Sequence, residues 1–205
     1  MSTARHHAEW LSLVEASGPF VSLPVLLEVF PQGLDAHDPD HMRRLKLAHE
    51  EWEDNQQGTR PDPALHRAWV EFVLMETLEL PEEVLLSGQA IPTGLQVAIA
   101  EQGETLRPDW LVVDPTPLAR AGSGAGGEGA ETRKPRLLVQ MYPATQSLEK
   151  SVKGSRWAAS PATRMMELLH ACDVRLGLVT NGDQWMLVNA PKGETTGYIS
   201  WYATL

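Results

Sequence analysis

The chain has 205 residues, 42% of them apolar, and a formal net charge of −10. That length holds one substantial core, or one core with a small helical subdomain, and the negative balance argues against a general nucleic-acid binder. No run of about 18 apolar residues is present to span a membrane, "MSTARHHAEW" contains no signal-peptide core, and the single cysteine, Cys172, excludes an internal disulfide or a cysteine zinc cluster, so a cytoplasmic protein is expected.

Taken in chain order, residues 7–16, "HAEWLSLVEA", place Trp10, Leu11 and Val14 at helical spacing and stop at Ser17-Gly18-Pro19. "SLPVLLEVFP" follows as a second short helix, with Ser22 at the cap and Pro24 in the first turn. Asp38-Pro39 opens a third, "DHMRRLKLAHEEWEDNQ", whose apolar stripe of Met42, Leu45, Leu47 and Trp52 is only partial. Asp62-Pro63 opens a fourth, with Leu65, Trp69, Phe72 and Val73 on one face.

From Pro92 the period changes. "LQVAIAEQGETLRPDWLVVDP" predicts two strands joined by a Gly-containing turn. A Gly/Ala/Ser-rich stretch, residues 119–134, reads as a mobile loop. "RLLVQMYP", residues 136–143, is a short buried strand. Ser160-Pro161 starts a helix with Met165, Leu168 and Leu169 inward, and Asn181-Gly182 marks the turn of a hairpin. "TTGYISWYATL" is a last strand, or a strand entering a helix. The expected fold is α/β (α+β): a helical subdomain over residues 1–61, then a domain over 62–205 with a mixed sheet flanked by helices. The aromatic, apolar finish suggests the front piece of a longer protein.

Charge is unevenly spread. Residues 1–130 carry 8 Lys/Arg against 21 Asp/Glu, whereas residues 131–175 carry 8 against 4. Lys150, Lys153 and Arg156 lie in that basic segment and are candidate DNA-backbone contacts. A solvated face with loose basic side chains is the competing reading.

Two stretches carry a resemblance. "RPDWLVVDP", with Asp109 after Pro108, followed by "RLLVQMYP", resembles the core of the PD-(D/E)xK restriction-endonuclease-like fold over about residues 62–190. "SGPFVSLPVLLEVFPQGL" and "ASPATRMMELLHACDVRLGLVTNGDQWMLVNAPKGETTG" resemble the N-terminal region of large phage-defence adenine-specific DNA methyltransferases of the DISARM, BREX and type IIG restriction-modification kind. In those proteins a nuclease-like domain precedes the methyltransferase.

The resemblance implies a set of site residues. Asp109 matches the first acid, Glu71 the helical acid, with Glu76 as a rival. Gln140 falls where the second acid belongs, and Tyr142 where the lysine belongs. A magnesium site needs two or more hard anionic oxygens, and here only Asp109 supplies one from the strands. Losing charge stabilisation costs on the order of 3 kcal/mol per group, so the site reads as degenerate. Neither an Asn-Pro-Pro-Tyr run nor a Gly-rich methyl-donor loop occurs, so S-adenosylmethionine belongs only to a downstream domain. DNA and other defence-system subunits are the expected partners. The alternatives are an active magnesium nuclease using Asp109, Glu71 and a migrated Lys150 or Lys153, and a structural or protein-interaction domain with no DNA contact.

Overall fold

The computed structural model describes residues 3–18, 20–34, 38–115 and 133–203. The Gly-rich stretch 119–134 lies outside the described residues except for its last two positions. Four helices and an edge strand come first: α1 (Thr3–Leu11), β1 (Glu15–Ser17), α2 (Leu23–Val29), α3 (Pro39–Gln57) and α4 (Pro63–Phe72). The carboxylates of Asp38 and Asp62 cap α3 and α4 by accepting from the amides of Asp40 and Ala64. Proline follows each cap, where a missing N–H leaves no bond unmade. Ser22 occupies the cap position of α2 but makes no side-chain cap bond.

The remaining elements are β2 (Leu85–Ser87), β3 (Val97–Ile99), β4 (Glu104–Leu106), β5 (Trp110–Val113), β6 (Pro135–Met141), α5 (Pro161–Cys172), β7 (Leu176–Thr180), β8 (Gln184–Asn189) and β9 (Gly197–Tyr202). A seven-stranded sheet runs in the order β1-β9-β8-β7-β6-β5-β2, and β3-β4 form a separate hairpin. The β6–β7 pair is parallel, with α5 as its crossover, and the sheet is otherwise antiparallel. The protein is therefore α+β, with helices against a mostly antiparallel sheet.

Each sheet face buries its own cluster. On one face Met165, Leu168 and Leu169 of α5 pack on Leu111, Leu138, Val179, Met186 and Val188. On the other, Trp52 of α3 and Trp69 of α4 pack on Trp110, Val139, Leu178 and Trp185. Full burial of such side chains contributes roughly 1.5–3 kcal/mol each. The second cluster draws on residues from both sides of position 61.

Gly177 permits the close seating of α5: a Cβ there would lie 2.4 Å from the sulfur of Met165. No described helix is long and apolar enough to cross a membrane.

Two local expectations are corrected, and one strand is added. The first helix stops at Leu11, and Glu15–Ser17 instead pairs with β9. The stretch read as one long second strand is two, broken at Arg107-Pro108, because proline has no N–H for a ladder. Residues 104–106 close the β3–β4 hairpin, whereas 110–113 enter the main sheet. Last, β2 has no counterpart in the sequence pattern: three residues between short 3₁₀ turns are too few to show a period.

Candidate functional site

Antiparallel pairing sets Trp110 opposite Val139, and the amide of Asp109 donates to the Val139 carbonyl at 2.8 Å. The carboxylate of Asp109 then turns onto the end of β6 and accepts from the Met141 amide at 2.8 Å. Strand alternation sends Val139 and Met141 to the α4 cluster and Leu138 and Tyr142 to the α5 cluster. Gln140 is buried, and its amide donates to the Arg107 carbonyl at 3.3 Å. The Tyr142 hydroxyl reaches its carbonyl oxygen at 3.5 Å. Asp109, Gln140 and Tyr142 thus gather where β5 begins and β6 ends.

Burial pushes the Asp109 carboxyl above the usual range, against the Met141 amide and the charge of Arg67. Burial pushes the Tyr142 phenol up to about 12, and the neighbouring charges of Asp109 and Glu104 act the same way while Arg164 opposes. The trio therefore offers one half-buried carboxylate, one neutral amide and one protonated phenol.

Glu71 does not join it: its carboxylate holds Arg67 at 2.9 Å, one helical turn away. That guanidinium lies 4.3 Å over the Trp110 ring. Glu76 is taken by Arg44 at 2.8 Å. Among the described residues no three His, Cys, Asp or Glu side chains are grouped to hold a metal ion.

A second constellation escaped the sequence reading. Arg164 is buried on α5. Its guanidinium meets Glu104 at 2.7 Å, also donates to the Ser155 hydroxyl, and stacks 4.9 Å from the Trp157 ring. The Glu104 carboxylate accepts from Arg164 and also from the Ser155 hydroxyl, and these two bonds, Arg164's first, hold its carboxyl below its ordinary value. The signal was present: Arg164 sits on the apolar stripe with Pro161, Met165 and Leu168, where a cation must be paired. Trp157 is half-buried beneath this guanidinium, whereas Trp69, Trp110 and Trp185 are buried.

The basic segment is a built loop. The Gln146 amide donates to the carbonyls of Ser147 (2.8 Å), Lys150 (3.2 Å) and Ser151 (3.2 Å), and its carbonyl oxygen accepts from the Lys153 amide at 3.0 Å. Lys153 Nζ donates to the Thr145 carbonyl at 3.0 Å. Lys150 and Arg156 are exposed. Asn181, in the β7–β8 turn, donates to the Gln146 carbonyl at 2.8 Å and ties loop to sheet.

The same turn is held from the α3–α4 side. Trp69 and Trp185 both donate to the Gly182 carbonyl, at 2.7 and 3.2 Å. His66 Nε2 lies 2.9 Å from the Tyr142 carbonyl. Searched against protein-family models, curated proteins and solved structures, the chain has no significant match in any of the three.

Proposed function

We propose that the chain is a nuclease-like module that engages DNA without cleaving it, serving as the front part of a phage-defence adenine-specific DNA methyltransferase. The carrying observation is the convergence of Asp109, Gln140 and Tyr142 at one strand mouth with a single carboxylate among them. The antiparallel run β2-β5-β6, followed by the α5 crossover to parallel β7, agrees with the resemblance read from the sequence. A metal that must share two anionic ligands is poorly served by a neutral amide, and a phenol that keeps its proton to about 12 gives no positive charge to a transition state.

DNA engagement falls to the loop carrying Lys150, Lys153 and Arg156, which Gln146 organises beside the strand mouth. Binding of a DNA duplex to the whole chain, measured across salt concentrations, tests this. Replacing the three cations with Ala should weaken binding and flatten the log–log salt slope by about 0.9 for each phosphate that is no longer neutralised. Unchanged affinity in that variant, or plasmid nicking with magnesium or manganese that Asp109→Ala abolishes, overturns the reading.

A further inference from the structure

The later limb of the basic loop, residues 155–159, alternates in exposure. Arg156 and Ala158 are exposed, Ser155 and Trp157 are half-buried, and Ala159 is buried. Arg164 holds all three inward positions. Its guanidinium donates to the Ser155 hydroxyl, to the Trp157 carbonyl at 3.2 Å and to the Ala159 carbonyl at 3.4 Å. Gln146 bonds positions 147, 150, 151 and 153, so this limb has an anchor of its own.

The Ser155 hydroxyl is the hub of that anchor. A hydroxyl has one proton and two lone pairs. Here the proton goes to the Glu104 carboxylate, and the lone pairs accept from Arg164 and from the Trp157 amide at 3.0 Å. The bond to the amide two residues on closes a turn around Arg156. On the other side, the Ser155 amide donates to the Val152 carbonyl at 3.3 Å. Glu104 belongs to the β3–β4 hairpin and Arg164 to α5. The backbone on both sides of Arg156 is thus tied to two elements outside its own loop. Glu104 and Arg164 meet at 2.7 Å with opposite charges, so the clamp adds little net field beside Arg156.

We infer that Ser155, clamped between Glu104 and Arg164, is a positioning residue for a phosphate contact made by Arg156. The inference rests on the DNA reading and deepens it. An arginine on a loose loop gives up backbone and side-chain freedom when it meets a phosphate, and that ordering weakens binding. With the turn already set, part of the ordering is complete before DNA arrives.

The test is duplex DNA binding by the full chain across salt concentrations, with Ser155→Ala, Arg156→Ala and the double variant. Ser155→Ala changes no charge. It should weaken binding about threefold to tenfold, the ordering of one side chain with its turn. The log–log salt slope should stay as it is, since the phosphate is still met. Arg156→Ala should weaken binding and flatten the slope by about 0.9. Adding Ser155→Ala to Arg156→Ala should then change nothing, because no arginine is left to position. Without DNA, trypsin should cut after Arg156 faster in Ser155→Ala than in the parent. An equal loss in both backgrounds, a flattened slope in Ser155→Ala, unchanged cutting, or an Arg156→Ala variant that binds like the parent overturns the inference. So does full binding by Ser155→Ala where Arg156→Ala is weakened, a result that leaves the DNA reading standing. Unchanged affinity after replacing Lys150, Lys153 and Arg156 together removes the DNA reading, and the inference falls with it.

Discussion

The indole N–H of Trp52 donates to Nδ1 of His66 across 2.9 Å, which fixes the imidazole proton on Nε2, where it is donated to the Tyr142 carbonyl. One histidine thereby joins α3, α4 and the end of β6. A second proton has no place to go, because Nδ1 already faces a donor.

Stability should therefore fall with acid. Burial holds the His66 pKa below 6.5, with the Tyr142 bond opposing. The folded state then binds fewer protons than the unfolded one. The contribution is complete above the unfolded value of about 6.5 and is lost as pH drops toward the folded pKa. Urea midpoints at pH 8, 7, 6 and 5 should decline below pH 7, and His66→Gln should flatten that decline. A midpoint independent of pH over this range would contradict the assignment of the proton.

Gly182 should tolerate no side chain. Its φ is +92°, and a Cβ would lie 2.7 Å from Cζ2 of Trp52 and 2.8 Å from Cε1 of His66. Backbone strain and overpacking together predict a loss of about 3 kcal/mol for Gly182→Ala. Gly193 has a φ of +81° with nothing within 4 Å, so Gly193→Ala isolates the strain and should cost about 1 kcal/mol. Denaturation curves of the two variants, read by tryptophan fluorescence, separate the two effects.

Asp109→Asn should preserve or raise stability at neutral pH. Burial raises the Asp109 pKa in the folded protein, so its contribution is present below the unfolded value and is lost as pH rises through the folded one. An asparagine carbonyl can still accept from Met141, and it has no charge to bury. The variant should gain on the parent between acid and neutral pH. A neutral-pH loss of more than about 1 kcal/mol would mean that the charge itself is needed.

Gln146→Ala should release the basic loop and spare the core. Three carbonyls and one amide lose their partner at once. Limited trypsin digestion should then cut at Lys150 and Lys153 ahead of the rest of the chain, with the thermal midpoint less affected than the cutting rate. Cutting no faster than in the parent would place the order of the loop elsewhere.

Helix starts were legible in the sequence because their chemistry is local: Asp38-Pro39, Asp62-Pro63 and Ser160-Pro161 all cap as read. The Asn181-Gly182 hairpin was legible for the same reason. β1 was not, since three exposed residues gain strand geometry only from distant β9. At the site, Asp109, Gln140 and Tyr142 could be placed together from the pattern of strands. The fate of Glu71 could not, because its partner Arg67 competes through a helical spacing that many surface pairs share. Arg164 with Glu104 was hidden by a separation of 60 positions.

Asn-Gly is also the dipeptide most prone to spontaneous deamidation, in which the glycine nitrogen attacks the asparagine side-chain carbonyl. Here the Gly182 nitrogen is occupied with the Thr180 hydroxyl at 2.9 Å, and the Asn181 carbonyl oxygen accepts from Asp183 and Gln184 at 3.1 and 2.7 Å. Attacker and target are both engaged, so the turn ages only when it opens. The slow appearance of aspartate at position 181 becomes a chemical clock for how often the cover of α3 and α4 lifts from the sheet.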